Sequence, residues 1–382
     1  MRIILATPIY PPDVGGPATY TVELAERLRG SDHVVIVAYT DNIEPVPHTH
    51  LIAVSKKNLL PVRLVKYFFA LLREAKQSDL IYVQNAVAAG LPAALVGWWL
   101  TKPVILKFVG DEAWERATQA QKTKKQLEDF YKVPEGGIRT KILMAIQRFV
   151  LTRVSLVTTP SAYLADLLVT YYGVQRERTF VNYNAVSIRS EIELAPKRES
   201  HRISVASRLV AWKNIDNVIR AVVEVQKKFP DVHLKIAGEG PQELALKALV
   251  KELHAESFIT FLGRIPQRES RALQASAGVH VLNSSYEGLP HEVLNAFAMG
   301  TPVVATNIPG TNEIVYDEKT GLLVPVGDNH QLVQAIERVF TDASLREHIV
   351  EGGTRILREK FSWEAHIERL RQMFKKAFAE RA

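Results

Sequence analysis

Short apolar runs separated by helix-period stretches recur along the chain. Arg2–Thr7 (RIILAT) is an apolar run, followed by the loop PIYPPDVGGPATY, the helical-period TVELAERLRG and a second apolar run, HVVIVAYT. Strand, loop, helix and strand in that order form a βαβ unit. The alternation continues through LIAVS, the helix-period LLPVRLVKYFFALLREAKQ, DLIYVQ, a helix over Leu91–Leu100 and PVILKFV. A polar, Lys-rich stretch then runs from Gly110-Asp111-Glu112 to about Gly137. After it come a helix from Arg139 to Arg153, the strand LVTTP and a helix over Ser161–Tyr172. Strands that are apolar throughout are buried on both faces, so this half predicts a doubly wound parallel sheet.

Periodicity fades and charge rises over Val186–Ser200 (VSIRSEIELAPKRES), which reads as a linker. The pattern then restarts: RISVAS, a helix over Asn214–Phe229, HLKIAGEG, a helix over Glu243–His254, FITFLG, a helix over Arg268–Ala275, and GVHVLNS. The fold class expected is α/β, with two Rossmann-like doubly wound domains. Residues 1–186 form the first domain, 187–200 the linker and 201–360 the second domain. Residues 361–382 form a basic amphipathic helix, with packing back on the first domain among its placements. Two such domains imply a central cleft between the carboxyl ends of their sheets.

Val281–Ile308 (VLNSSYEGLPHEVLNAFAMGTPVVATNI) is the stretch densest in candidate chemistry. It predicts a buried strand, a glycine-containing turn, a helix with Pro290 in its first turn, and a second strand over Pro302–Ala305. Glu287, His291, Glu292 and Asn295 crowd the turn and the first face of the helix. A turn at a strand's carboxyl end, followed by the free N–H groups of a helix, suits an anion. A carboxylate in that place therefore calls for an explanation.

Composition narrows the picture. The chain has 382 residues, enough for two domains, and 47% are hydrophobic. It contains no cysteine, which excludes disulfides, thiolate metal sites and cysteine nucleophiles. The start reads as a strand rather than a signal peptide, and no apolar run is long enough to span a bilayer, so a cytoplasmic protein is expected. The net charge of +7 falls on residues 1–190, while residues 191–382 balance to zero. A basic half suits an anionic partner, or is simply a solvated face. A dehydrogenase is disfavoured, because Gly238-Glu239-Gly240 is followed by Pro241 and Gln242 with no closing glycine. His48 and His50 sit among prolines and read as loop rather than metal ligands.

Several segments in order carry a resemblance to a known family. They are the glycines of PPDVGGPATY, the SRLVAWKNIDNVIRA segment, AGEGPQ, FLGRIP, and the Glu287-Gly288 turn with its following helix. Together they resemble the GT-B-fold glycosyltransferases, specifically the large retaining family numbered four. The resemblance implies a hydroxyl acceptor (a glycan, a lipid-linked group or a small molecule, an anionic one among them) and a nucleotide-sugar donor as a substrate. It implies no cofactor, no metal and no nucleic acid. Arg208 and Lys213 match the family's cations for the leaving diphosphate, a role that suits a bidentate fork and a point charge. Gly15 and Gly16 match a loop that lets backbone approach a phosphate. Arg264, within Gly263-Arg264-Ile265, falls where the family places the nucleotide base.

Glu287 matches the family's first signature carboxylate, beside the donor sugar, with Gly288, Leu289 and Pro290 leading into the helix. Asn295 stands where members generally carry a second Glu to the ribose; an amide can donate and accept there. Glu292, one turn earlier, is an alternative for that contact. Asp111 is the candidate for sugar or acceptor hydroxyls, with capping of the following helix as the alternative. The LLPVRLVKYFFALL segment, with Arg63 and Lys66, has peripheral contact with an inner membrane face as one reading, and the pattern favours burial as a core helix. The basic stretch Gln121–Lys132 is the preferred candidate for an anionic surface. A non-catalytic nucleotide-sugar-binding protein is the alternative function, motivated by Asn295.

Overall fold

The computed structural model describes residues 1–13, 15–42, 45–47, 49–187 and 197–379. Most of the expected linker, residues 188–196, and His48 lie outside the described residues. The chain divides into two compact units. The first comprises Met1–Ala117, Glu128–Asn182 and Ile367–Ala382; the second comprises Thr118–Leu127 and Tyr183–His366.

The first unit contains, in chain order, β1 (Arg2–Thr7), α1 (Gly16–Leu28), β2 (His33–Tyr39), β3 (His50–Val54), α2 (Leu60–Ala75), β4 (Leu80–Gln84), α3 (Gly90–Leu100) and β5 (Val104–Lys107). The helices α4 (Glu112–Gln119), α5 (Leu127–Lys132) and α6 (Ile138–Arg153) follow, then β6 (Leu156–Thr159), α7 (Ala162–Leu167) and β7 (Thr179–Val181). Its seven strands are parallel, in the order β3-β2-β1-β4-β5-β6-β7. Ile3 pairs with Val34 on one side and Leu80 on the other, so β1 is central and apolar at both faces.

The second unit contains β8 (Glu199–Ala206), α8 (Ile215–Lys228), β9 (His233–Ala237), α9 (Glu243–Glu252), β10 (Ile259–Gly263), α10 (Gln267–Ala275) and β11 (Ala277–Leu282). These are followed by α11 (His291–Ala298), β12 (Val303–Thr306), β13 (Leu322–Val324), α12 (Asn329–Thr341), α13 (Ala343–Lys360) and α14 (Trp363–Ala379). Its six parallel strands run β10-β9-β8-β11-β12-β13, the doubly wound order whose direction reverses between β8 and β11. Ile203, Leu234, Ile236, Val279 and Val304 bury their side chains with Ile219, Val222 and Ile336 from the covering helices. The turns of α14 from Ile367 onward belong to the first unit, where Leu370, Met373 and Phe374 join the core of Ile3, Leu5, Leu24 and Ile36.

Three expectations need correction. The polar stretch after Asp111 holds two short helices, α4 and α5, because Ala113, Trp114, Leu127 and Phe130 supply buried anchors that the surrounding charges mask. Pro290 is not in the first turn of α11 but one residue before it, at φ −76° and ψ 103°. The third concerns α2, expected to be buried as a core helix, together with its neighbour α3. Tyr67, Leu71 and Ala75 of α2 are buried, but Leu60, Val62, Val65 and Phe69 are exposed, as are Trp98 and Trp99 of α3. Helices that are apolar on most faces show the sequence no inward side, and only packing decides which face is covered.

Candidate functional site

In the second unit the loops after β8 and β11 leave adjacent strands where the strand order reverses, the usual ligand position of an open parallel sheet. They are stitched together. The Ser285 N–H donates to the Trp212 carbonyl at 2.8 Å. Asn214 Nδ2 donates to the Asn283 carbonyl at 3.0 Å, and Asn283 Nδ2 returns a bond to the Asn214 carbonyl at 3.3 Å. Asn214 takes the left-handed conformation (φ 45°, ψ 45°) that turns the chain from a 3₁₀ turn over Ala211–Lys213 into α8.

This clamp sets Lys213 against Glu287. The ammonium donates to Glu287 Oε1, and the Ser284 hydroxyl donates to the same oxygen at 2.6 Å. Both side chains are largely buried, at 14% and 11% exposed, so the pair sits in a medium where charges interact strongly. An ammonium has three donors, of which Glu287 takes one. Arg208 is exposed on the same loop, its guanidinium 5.7 Å from the centre of the Trp212 ring. Two cations and the N-terminus of α11, whose N-cap Pro290 offers no side-chain acceptor, thus line one edge of the sheet. Glu287 is not the cap of α11; it belongs to the turn before it.

Glycines set the remaining walls. A Cβ on Gly238 (φ 135°) would lie 1.8 Å from the Ser207 carbonyl oxygen, and one on Gly240 would lie 2.4 Å from that of Leu209. The Leu209 N–H donates to the Glu239 carbonyl at 3.0 Å, so this Gly-Glu-Gly turn is a backing for the Arg208 loop. On the other side Gly310 (φ 82°) presses on Glu287, where a Cβ would lie 2.3 Å from the carbonyl oxygen. The Thr306 hydroxyl at the end of β12 donates to the Ser284 carbonyl.

Behind the pair lie three less expected groups. His280, in β11, is fully buried with Nδ1 3.0 Å from the Ser204 hydroxyl. Burial, and secondarily the Lys213 charge, pushes its imidazole down to about 4. Asn295 is buried with its Oδ1 lacking a hydrogen-bond partner, and it engages Glu292. The Glu292 carboxylate accepts from Gln274 Nε2 at 2.8 Å. Burial raises Glu292 above the usual carboxylate range, opposed by Asn295, Gln274 and the charges of Lys213 and Arg271. Two amides, those of Gln274 and Asn295, thus hold the Glu292 carboxyl inside the second unit.

The sequence-derived candidates fall in two groups. Arg208, Lys213, Glu287, Gly288, Leu289, Pro290 and Asn295 share the second unit, and the first six border the β8–β11 loops. Arg264 follows β10 and pairs at 3.3 Å with Glu239 of the backing turn. Gly15, Gly16 and Asp111 belong to the first unit. Gly15 is the extended N-cap residue of α1, and Gly16 opens that helix with space around its Cα. Asp111 requires correction as a group for ligand hydroxyls: it is fully buried and saturated. It caps α4 by accepting from the Trp114 N–H at 2.8 Å, and it accepts from Tyr131 at 2.8 Å, from Gln147 at 3.0 Å and from Tyr172. Ser284, Gly310, Thr306, Asn283 and Asn214 were not expected. Gly310, in the turn-forming Ile-Pro-Gly, and Asn214, at the start of a helical stretch, left a signal in the sequence, though not of these contacts.

Comparison with known proteins bears on the family and the fold. The family described as Glycosyltransferase Family 4 matches residues 14–190, and that described as Glycosyl transferases group 1 matches residues 189–356. The chain belongs to the GT-B glycosyltransferases of this group 1, family 4 type. The lipopolysaccharide core biosynthesis glycosyltransferase LpsE of Rhizobium meliloti is 34% identical over 41% of this chain and 45% of its own length. The alpha-monoglucosyldiacylglycerol synthase of Streptococcus pneumoniae is 26% identical over 91% of this chain and 80% of its own. The first curated relatives are matched over about half of their length, between 45% and 63%. Anabaena HepE, crystallised with UDP-glucose, superposes with a TM-score of 0.78 at 19% identity, covering 98% of this chain and all of HepE. The fold, α/β with two Rossmann-like parallel-sheet units, is thus that of the GT-B glycosyltransferases.

Proposed function

We propose that this protein transfers a sugar from a nucleotide-sugar donor to an acceptor hydroxyl with retention of anomeric configuration. The observation that carries the reading is the Lys213–Glu287 pair, with Arg208 beside it, at the reversal of the second sheet. A donor diphosphate meets Arg208, the two remaining Lys213 donors and the N–H groups at the start of α11. Glu287, held through Oε1, presents Oε2 to the sugar, and its charge favours positive charge building at the anomeric carbon. The acceptor oxygen bonds to that carbon on the face the diphosphate leaves, the carbon–oxygen bond to the diphosphate breaks, and the hydroxyl proton passes to a diphosphate oxygen. Stabilising that leaving group where its charge develops is the largest contribution assigned to the site.

Because Arg208 and Lys213 supply the positive charge, no metal is assigned to the step, and turnover is expected to persist in a chelator. The HepE complexes with UDP and UDP-glucose make a uridine nucleotide the first donor to test. Proton NMR of the product from a nucleotide-sugar and acceptor panel tests the reading: an axial donor giving an axial product supports it, and inversion overturns the retaining step. A second reading, a nucleotide-sugar-binding protein without turnover, is favoured by Asn295 alone. Calorimetric binding of a donor with neither transfer nor hydrolysis would establish it.

A further inference from the structure

We propose that the exposed faces of α2 and α3 form a docking surface for an anionic lipid bilayer. On α2, Val62, Val65 and Phe69 recur at helical spacing on the exposed side, and exposed Leu60 opens the helix after exposed Leu59 at its N-cap. Phe69 is 60% exposed, while Trp98 and Trp99 of the neighbouring α3 are 78% and 67% exposed. The two helices share one patch. Phe68 has its ring centroid 5.5 Å from that of Phe69 and 6.4 Å from that of Trp99. Exposed aromatic rings in such numbers are costly in water and are the groups that settle at a membrane–water interface.

Charge chooses the occupant. The same exposed side of α2 carries Lys66 and Arg73, and Lys57 lies exposed just before it. From Lys56 to Arg73 the chain has five basic residues and no Asp or Glu, and Gly90–Lys102 has no acid either. Glu74, the first acid after them, faces inward and is held by Arg2, with Arg73 Nε 3.3 Å from its other oxygen while the Arg73 side chain stays 80% exposed. A basic rim around aromatic and aliphatic side chains complements anionic headgroups over an apolar interior. A protein partner would have to be acidic as well as apolar; a second copy of this chain would bring like charge to like. The net charge of +7 over residues 1–190 has the same sign as the rim. No helix among the described residues is long and apolar enough to cross the bilayer, so the contact is peripheral. This surface stands whether or not the transferase reading holds.

Flotation of the full chain with vesicles of phosphatidylcholine, alone or mixed with phosphatidylglycerol, tests the proposal. Binding is expected to the mixed vesicles and to weaken with salt. Lys66→Ser should weaken it about fivefold, and the Trp98→Ser/Trp99→Ser pair at least about tenfold. The other three tryptophans, Trp114, Trp212 and Trp363, are buried. Quenching by brominated lipid should therefore strike the wild type and vanish in the Trp98→Ser/Trp99→Ser variant, whose unchanged circular dichroism shows it is folded. The proposal is overturned if mixed vesicles do not bind the chain or if the variants float like the wild type. It is overturned equally if sedimentation shows a dimer that the Trp variant abolishes, which would make a second copy the occupant.

Discussion

Glu287 is held by two donors on one oxygen, and that asymmetry gives each substitution around it a direction. Glu287→Gln keeps the shape but removes the charge facing the sugar and the partner of Lys213. Turnover of a donor should fall at least about a hundredfold while nucleotide binding is retained; titration calorimetry alongside rate measurements separates the two. Asn295 has an equally specific account. Its amide engages Glu292, a carboxyl already raised by burial. A glutamate at 295 would place a second carboxylate against the first, so Asn295→Glu should destabilise the fold by about 2 kcal/mol. Adding Glu292→Gln should restore most of that loss, and chemical denaturation of the single and double variants reads it out. His280 gives a pH dependence. Its folded value of about 4 lies below the ordinary 6.5, so the unfolded chain binds the extra proton between those values and stability falls as pH drops through that window. Between pH 7 and pH 5 the wild type should lose about 2 kcal/mol more than His280→Gln. Equal losses would remove His280 from the account.

Loops, more than the helices or strands they join, decide whether these side chains meet. The turn Gly238-Glu239-Gly240 buttresses the Arg208 loop at backbone-contact distance, and Gly310 does the same for Glu287. Gly240→Ala and Gly310→Ala should each cost about 2 kcal/mol or more, by overpacking and, at Gly310, by positive φ. Both should weaken donor binding before they unfold the second unit, visible as a lost ligand-induced thermal shift in a protein with native circular dichroism. The same loops mark where sequence reasoning stopped. Lys213, Arg208 and Glu287 were legible through the ordered motifs that resemble the family, each next to a strand end or a helix start. Ser284 and Thr306 were not, and Gly310 showed only as a turn residue: Ser284 reaches the Glu287 carboxylate, while Thr306 and Gly310 meet backbone carbonyls of distant residues that carry no residue signature. Strand β13 is three residues long, and α4 anchors on Ala113 and Trp114 amid charges, so neither offered a period to read. Asp111 was misread for a related reason: its position after a strand was visible, but its four donors, from Trp114, Tyr131, Gln147 and Tyr172, converge only in three dimensions.

Most strands of both parallel sheets were legible, because strands buried on two faces announce themselves as continuous apolar runs; the three-residue β7 and β13 were not. Which outer faces remain bare was not, as Trp98 and Trp99 illustrate. The charge asymmetry also acquires a place: the basic half carries the aromatic surface, and the neutral half carries the Arg208–Lys213–Glu287 site. If charge stabilisation is the work of those two cations, transfer should proceed in excess chelator at a rate close to that without it; a loss restored by one divalent ion would assign the diphosphate to a metal. The central claim is that the second unit holds a sugar diphosphate on Arg208 and Lys213 and discharges its sugar. The most direct measurement is release of nucleoside diphosphate from a nucleotide-sugar panel by the wild type and by Arg208→Ala and Lys213→Ala. The account predicts release by the wild type with at least one donor, and a fall of about a hundredfold or more in kcat for each variant. Undiminished release by both variants would contradict it.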